Sequence, residues 1–347
     1  MPPKPYEPPT LQRRREHLCF RAPEPITIDG QLDKSAWRAA PWTEDFVDIE
    51  GDMRPKPGHR TRAKMLWDDE FLYVGAEMEE PHLWGTLTDH DSIVYHDNDF
   101  EVFLNPTGDN HNYYELEINA LGTVFDLYLP KPYRDGGPAD HGWNVVGLRK
   151  GIRLDGTLND PRDLDRGWSV ELAFPWRAFD RHVRREGRFV PAGPPRAGEQ
   201  WRVNFSRVNW DLEVADGAYR KVAGRPEHNW VWSPQGLIDM HRPERWGVVQ
   251  FSEAEAGSES AARERVASDH TGAARDLLHT TYYAQARHKA ERGTWARELS
   301  TLVHEGSLGA SAAAVTVLRS TPDGWEAWTP AGGRRVWIRQ DSLVWVD

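Results

Sequence analysis

Glu101, Glu115, Glu117 and Asp126 recur at alternate positions of three short segments between Asp97 and Leu129. In Phe100-Glu101-Val102-Phe103-Leu104-Asn105 a period of two sends Phe100, Val102 and Leu104 to one face and Glu101, Phe103 and Asn105 to the other. In the next run Tyr114, Leu116 and Ile118 point inward, while Tyr113, Glu115, Glu117 and Asn119 point outward. The third run places Phe125, Leu127 and Leu129 inward and Asp126 and Tyr128 outward. If the three segments are neighbours in a sheet, as sequential strands usually are, their outer face gathers carboxylates, amides and tyrosine rings. Charged acceptors bind hydroxyls strongly, and a rigid ring packs on a C–H face at small entropic cost. A polyhydroxylated, sugar-like ligand meets both requirements.

The same carboxylates could serve catalysis. A glycosidase needs two, about 5 to 5.5 Å apart for retention or about 6.5 to 9.5 Å for inversion. Glu101, Glu115, Glu117, Asp126 and Glu171 are the available acids, and Glu115 and Glu117 lie about 7 Å apart along one strand. No nucleophile and base share a recognisable motif, so a glycoside hydrolase or lyase is the alternative and not the first reading. His96-Asp97-Asn98-Asp99 and Asp89-His90-Asp91 alternate oxygen ligands as Ca²⁺ prefers. Asp97 and Asp99 are the candidate Ca²⁺ ligands, with a solvated acidic turn as the alternative. The fourteen histidines include no helical His-x-x-x-His with an acidic neighbour, which disfavours catalytic zinc. Arg134, in the turn-rich loop after the third strand, is placed either to reach a ligand or to form a structural clasp with Asp135. Arg207 reads as internal, with Glu171 as its expected partner.

The net charge is −11, from 54 acidic against 43 basic residues, which disfavours a nucleic-acid partner. No run of 18 apolar residues exists to span a bilayer. The single Cys19 excludes an intrachain disulfide and a cysteine metal cluster. No apolar stretch follows Arg13-Arg14-Arg15, so the chain as written has no secretory signal; it reads as cytoplasmic, or extracytoplasmic if a leader was removed. Seventeen tryptophans against five methionines suit a chain that stacks on flat ligands, although an aromatic core accounts for many, among them Trp37, Trp67, Trp168 and Trp201.

The elements that must hold these residues are short alternating segments punctuated by Gly, Pro and Asp. They predict an antiparallel β-sandwich, immunoglobulin-like or jelly-roll-like, over residues 24–252, after an extended arm over 1–23. Trp67-Asp68-Asp69-Glu70 reads as a hairpin turn, Asp33 as the N-cap of a short helix to Ala40, and His182 to Gln200 as a surface loop. Residues 253–347 predict a smaller C-terminal α+β lobe. Its long helix would run over Ser260 to His288, with Ala262, Val266, Ala273, Leu277, Thr281 and Ala284 on one stripe and Gly293 as its end. A small antiparallel sheet would follow, over Ala313–Leu318, Trp325–Thr329, Val336–Arg339 and Leu343–Val346.

Ile26-Thr27-Ile28-Asp29-Gly30-Gln31-Leu32-Asp33 followed by Trp37 resembles the opening of family-9 carbohydrate-binding modules. So do Trp67-Asp68-Asp69-Glu70-Phe71-Leu72-Tyr73-Val74 leading into Glu79-Glu80-Pro81, the Asp97-to-Phe103 strand, Glu117-Ile118-Asn119 and the closing Pro243-Glu244-Arg245-Trp246-Gly247. The resemblance covers about residues 24 to 252. It implies a β-sandwich that holds a sugar between two aromatic rings, with acidic and amide side chains on the hydroxyls and structural calcium. Carried over, Glu101 and Asn119 match the hydrogen-bonding carboxylate and amide. Glu117 stands where the family's binders carry a basic residue, a departure from the pattern. Tyr95 falls at the first ring and Trp232 at the second. The function implied is non-catalytic saccharide binding that assists polysaccharide use, alongside a separate glycoside hydrolase; a protein-interaction scaffold on a degenerate sugar-binding fold is the third reading.

Overall fold

The computed structural model describes residues 7–179, 193–347 and the backbone of 184–185 and 188–189. The main sheet has twelve strands among the described residues: two short ones, Val47–Asp48 and His228–Val231, which pair off its main path, and ten along it, β1 (Glu16–Arg21), β2 (Thr61–Trp67), β3 (Phe71–Glu79), β4 (Asp99–Asn105), β5 (Tyr113–Asn119), β6 (Val124–Leu129), β7 (Arg149–Asp155), β8 (Gly167–Pro175), β9 (Gln200–Asn209) and β10 (Gly247–Glu255). Their spatial order is β6-β5-β4-β9-β10-β1-β2-β3-β8-β7. Two antiparallel sets, β6 to β10 on one side and β2 to β7 on the other, are joined by β1, which pairs parallel to both β10 and β2. The sheet curls so that both sets bury one shared core. Phe100, Val102, Leu104, Leu116 and Ile118 from the first set meet Val74, Ala76, Val170, Leu172 and Phe174 from the second. Each fully buried side chain of this kind contributes roughly 1.5–3 kcal/mol. The expected mainly β, sandwich-like fold is therefore the observed one.

Strands β5 and β6 coincide with the predicted segments, and Asp68 closes the predicted hairpin by accepting from the backbone N–H groups of Glu70 and Phe71 at 2.8 Å. Trp67, Trp168 and Trp201 lie in the shared core and Trp37 in a second cluster against helix α1 (Ser35–Ala39). The helix starts after Lys34, not Asp33, and its N-cap makes no side-chain bond. The predicted arm is corrected too: Glu16–Arg21 is a strand inside the sheet, with Leu18 opposite Gln250 and Phe20 opposite Leu66. In the predicted 182–200 loop, Arg184–Arg185 pairs with Arg188–Phe189, and residues 182–183, 186–187 and 190–192 lie outside the described residues.

After β10 the helical stretch breaks into α2 (Glu259–Arg263) and α3 (Gly272–Arg292), and α3 ends on Gly293 in the left-handed conformation, φ +79°. Glycine adopts that conformation without a Cβ clash. The buried face of α3 carries Ala274, Leu278, Thr281, Tyr282, Tyr283 and Gln285; Ala273 and Leu277 of the expected stripe lie off it by one position. Beyond α4 (Leu299–His304) and α5 (Ala310–Val315), four strands form the small antiparallel sheet in sequence order: Val317–Thr321, Gly324–Ala331, Arg334–Arg339 and Val344–Val346. Its first strand begins later than expected because Ala310 to Val315 is helical. No helix among the described residues is long and apolar enough to cross a membrane.

Candidate functional site

Antiparallel pairing decides which residues share a face. Glu101 lies opposite Glu117, and Phe103 opposite Glu115, across β4–β5; Glu117 lies opposite Phe125, and Glu115 opposite Leu127, across β5–β6. Directly paired residues point to the same side. The carboxylates therefore share their face with Phe103, Phe125 and Leu127, and the predicted orientation of the third run is inverted. Asp126 and Tyr128 point the other way: Tyr128 enters the core, and Asp126, 2% exposed, accepts from the N–H of Val145 at 2.6 Å.

This face is covered in part by the turn at Val94–His96 and by the chain from Ile238 to His241, leaving a cavity of about 420 Å³. Glu101, Glu115 and Glu117 form its base, with Tyr95, Tyr133, Phe103 and Phe125 as aromatic walls. Tyr95 and Tyr133 remain 38% and 46% exposed, so a ligand can still bury their rings. Glu227, Asn229, Asp239, His141 and His241 complete the polar lining. Trp246 backs the site, its ring 5.5 Å from Phe103 and 5.2 Å from Tyr113, which explains the tryptophan of the closing motif.

The electrostatics of the base are one-sided. Burial pushes the Glu101 carboxyl up to about 7. Asp99, Glu115 and Glu117 are pushed well above the carboxylate range, by burial first and then by the charge of Glu101. Among the described residues that line the cavity, no Lys or Arg offsets them. His241 approaches Glu115 at 3.9 Å, but burial lowers its imidazole to about 4 and leaves it neutral. Tyr95 supports the base through its backbone, donating its N–H to Glu117 Oε2 at 2.9 Å.

Of the residues singled out from sequence, Tyr95, Glu101, Glu115 and Glu117 come together here. Asn119 does not. Its amide donates to Leu87 O and Asp97 Oδ2, and its carbonyl accepts from the N–H groups of Leu121 and Thr123, so its own turn consumes it. Asp97 is likewise occupied, accepting from the N–H groups of Thr86 and Leu87, the hydroxyl of Thr86 and the amide of Asn119. It does not fit a Ca²⁺ ligand. Asp99 does, because its Oδ2 is buried without a hydrogen-bond partner. Trp232 cannot be the second wall of a sugar slot: it is fully buried, and its ring packs against Phe205 at 5.9 Å.

Arg134 is also structural. It donates to His241 O at 2.8 Å and to Glu244 Oε2 at 2.9 Å, tying the loop after β6 to the closing motif. Glu171 is fully buried and holds the N-terminal motif together, accepting from the N–H groups of Asp29 and Gly30, Lys34 Nζ and the Trp37 indole. Arg207 is internal as expected, but its partner is Glu80 at 2.7 Å, not Glu171. Sequence reading missed Tyr133, Glu227, Asn229, Asp239 and His241. Tyr133 adjoins the Arg134 that was noticed; the others sit on segments with no periodic signal.

Residues 28–126 match the family described as carbohydrate family 9 binding domain-like. The chain is 30% identical over 171 residues to endo-1,4-beta-xylanase C of Paenibacillus barcinonensis, covering 46% of this chain and 13% of that protein. It is 25% identical over 152 residues to exoglucanase XynX of Acetivibrio thermocellus, covering 44% of this chain and 12% of that protein. The chain thus spans only a small part of these relatives. A crystal structure of a protein from Bacteroides uniformis shares the fold with a TM-score of 0.52 at 17% identity, covering 69% of this chain and all of that one. The family match lies over the strands that build the base of the cavity, and over those residues the chain is similar to the carbohydrate family 9 binding domain-like family.

Proposed function

We propose that this chain is a non-catalytic carbohydrate-binding protein that takes a saccharide in the cavity over β4, β5 and β6. The observation that carries the reading is the pairing of partly exposed rings, Tyr95 and Tyr133, with the carboxylates of Glu101, Glu115 and Glu117 in one cavity of a domain similar to family 9. Rings offer area to the C–H face of a sugar, and the acids meet its hydroxyls. The relatives' names support xylan and glucan fragments as the first ligands to try, and a role beside a glycoside hydrolase.

Two features argue against catalysis. Acid and nucleophile need environments that push their proton affinities apart, whereas burial pushes all three glutamates the same way. Glu101, Glu115 and Glu117 also share one face of two adjacent strands, whereas the two carboxyl groups of a glycosidase flank the scissile bond. Calorimetric titration with glucose, xylose and their oligosaccharides, in natural and end-reduced form, tests the proposal. Saturable heat with no released reducing ends is expected. Product formation would make the acids an active site, and silence with every saccharide would refute the assignment.

A further inference from the structure

We propose that Asp99, Glu101 and Glu117 form a Ca²⁺ site at the base of the cavity, whose open coordination positions take vicinal hydroxyl oxygens of the saccharide. The second half rests on the saccharide reading above; the first stands without it.

One carboxylate oxygen from each of the three residues lies within 4.8 Å of the other two. Strand pairing enforces this, because Glu101 and Glu117 are directly opposed and Asp99 precedes Glu101 by two residues on the same face. Like charges directly opposed across a sheet repel. Here they do so out of water, with Asp99 fully buried and Glu101 and Glu117 at 5% and 3% exposure. None of the three has an ion-pair partner among the described residues. Arg207, the nearby cation inside the sandwich, directs its guanidinium to Thr61, Glu79, Glu80 and Asn209. Backbone N–H groups of Val208 and Tyr95 serve Asp99 and Glu117, yet Asp99 Oδ2 and Glu101 Oε2 remain buried with no hydrogen-bond partner. Buried polar atoms in folded proteins are nearly always satisfied, and an orphan points to an ion or water that belongs there.

The donor set selects the kind of ion. Three carboxylates with no sulfur or imidazole suit a hard cation, and the flexible, irregular oxygen coordination of Ca²⁺ suits side chains fixed by two strands better than the near-ideal octahedron that Mg²⁺ demands. Three carboxylates do not complete the six to eight oxygens that Ca²⁺ takes. Glu101 and Glu117 line the cavity, so the open positions face the space a saccharide would fill.

The test is calorimetric titration of the full chain with CaCl₂ after EDTA treatment, first without saccharide and then with the saccharide identified above, with and without Ca²⁺. Saturable Ca²⁺ binding is expected, weakened roughly a hundredfold in Glu117→Gln, since even supporting groups around a metal cost 10–100-fold. Glu117→Gln removes a buried repulsion and should fold, as far-UV circular dichroism verifies. Asp126→Asn, which alters the separate His90, Asp91 and Asp126 group, should bind Ca²⁺ normally. Absence of Ca²⁺ heat, or its loss in Asp126→Asn with retention in Glu117→Gln, overturns the site. Saccharide heat that EDTA leaves unchanged overturns the bridging role. Saccharide heat in a sample that ignores Ca²⁺ would reject the site and leave the saccharide assignment standing.

Discussion

Replacing Arg134 by methionine is expected to destabilise the fold by about 3–5 kcal/mol, the usual result of removing one partner from a buried ion pair. Arg134 and Glu244 are 4% and 3% exposed at their side chains and meet at 2.9 Å. Burial alone would raise the Glu244 carboxyl, but the Arg134 guanidinium overrides it and holds the group at about 2. Without Arg134 the acid keeps only the more weakly acting Arg242 cation, and must either stay charged at a cost or take up a proton. The double variant Arg134→Met with Glu244→Gln should recover much of the loss, because the amide still accepts from the Tyr283 hydroxyl that now donates to Glu244 Oε1 at 2.5 Å. The pH dependence has a definite sign. A carboxylate depressed in the folded state contributes stability above its unfolded value, 4.5, and loses it as pH falls toward 2. That window carries about 3 kcal/mol in the wild type. Urea unfolding at pH 7 and pH 3 reads both effects. A single variant as stable as wild type at pH 7, or a double variant no better than the single, would refute this account.

The Arg134 case shows why the fold was more legible than the site. Alternation located β5 and β6 to the residue, because one-sided patterning is a local signal. Orientation of β6 was not local: Val124-Phe125-Asp126-Leu127-Tyr128-Leu129 is apolar at nearly every position, since both its faces are covered, and only the pairing of Glu117 with Phe125 decides which side is which. β1 escaped for a related reason. Its six residues pair with strands far away in sequence, in parallel, so no neighbouring turn advertises it. Asn119 and Asp97 were placed near the right surface and given the wrong task. Each has a donor-rich turn within reach, and short polar side chains bond their own backbone when one is offered. The acidic base was visible because its residues lie on regular strands. The lid from Ile238 to His241 was not, because its position depends on the Arg134 bond to His241 O, which no period encodes.

Trp232 and Tyr95, both matched to ring positions of the family, should separate completely when each is replaced by alanine. Trp232→Ala is expected to cost about 3–5 kcal/mol, the range for deleting a buried aromatic ring. The ring is fully buried, flanked by Phe205 and by His17 edge-on at 6.2 Å, and a Cβ at Gly247 would lie 2.5 Å from it. The glycine of the closing motif is thus the seat of this tryptophan, and no local collapse would fill the vacancy. Tyr95 stands at the rim with 38% of its surface exposed, and its structural bonds run through the backbone: its N–H to Glu117 and its carbonyl to the Trp210 indole at 2.9 Å. Alanine preserves both. Tyr95→Ala should therefore shift stability by less than about 1 kcal/mol. Its saccharide affinity should fall by roughly 10- to 100-fold, since burying such a ring contributes about 1.5–3 kcal/mol. Differential scanning calorimetry and saccharide titration on the two variants read the contrast. A Trp232→Ala protein of unchanged stability that no longer binds would place a ring of the sugar slot inside what is here a core, and a Tyr95→Ala protein that binds as wild type would remove the tyrosine wall on which the proposed site depends.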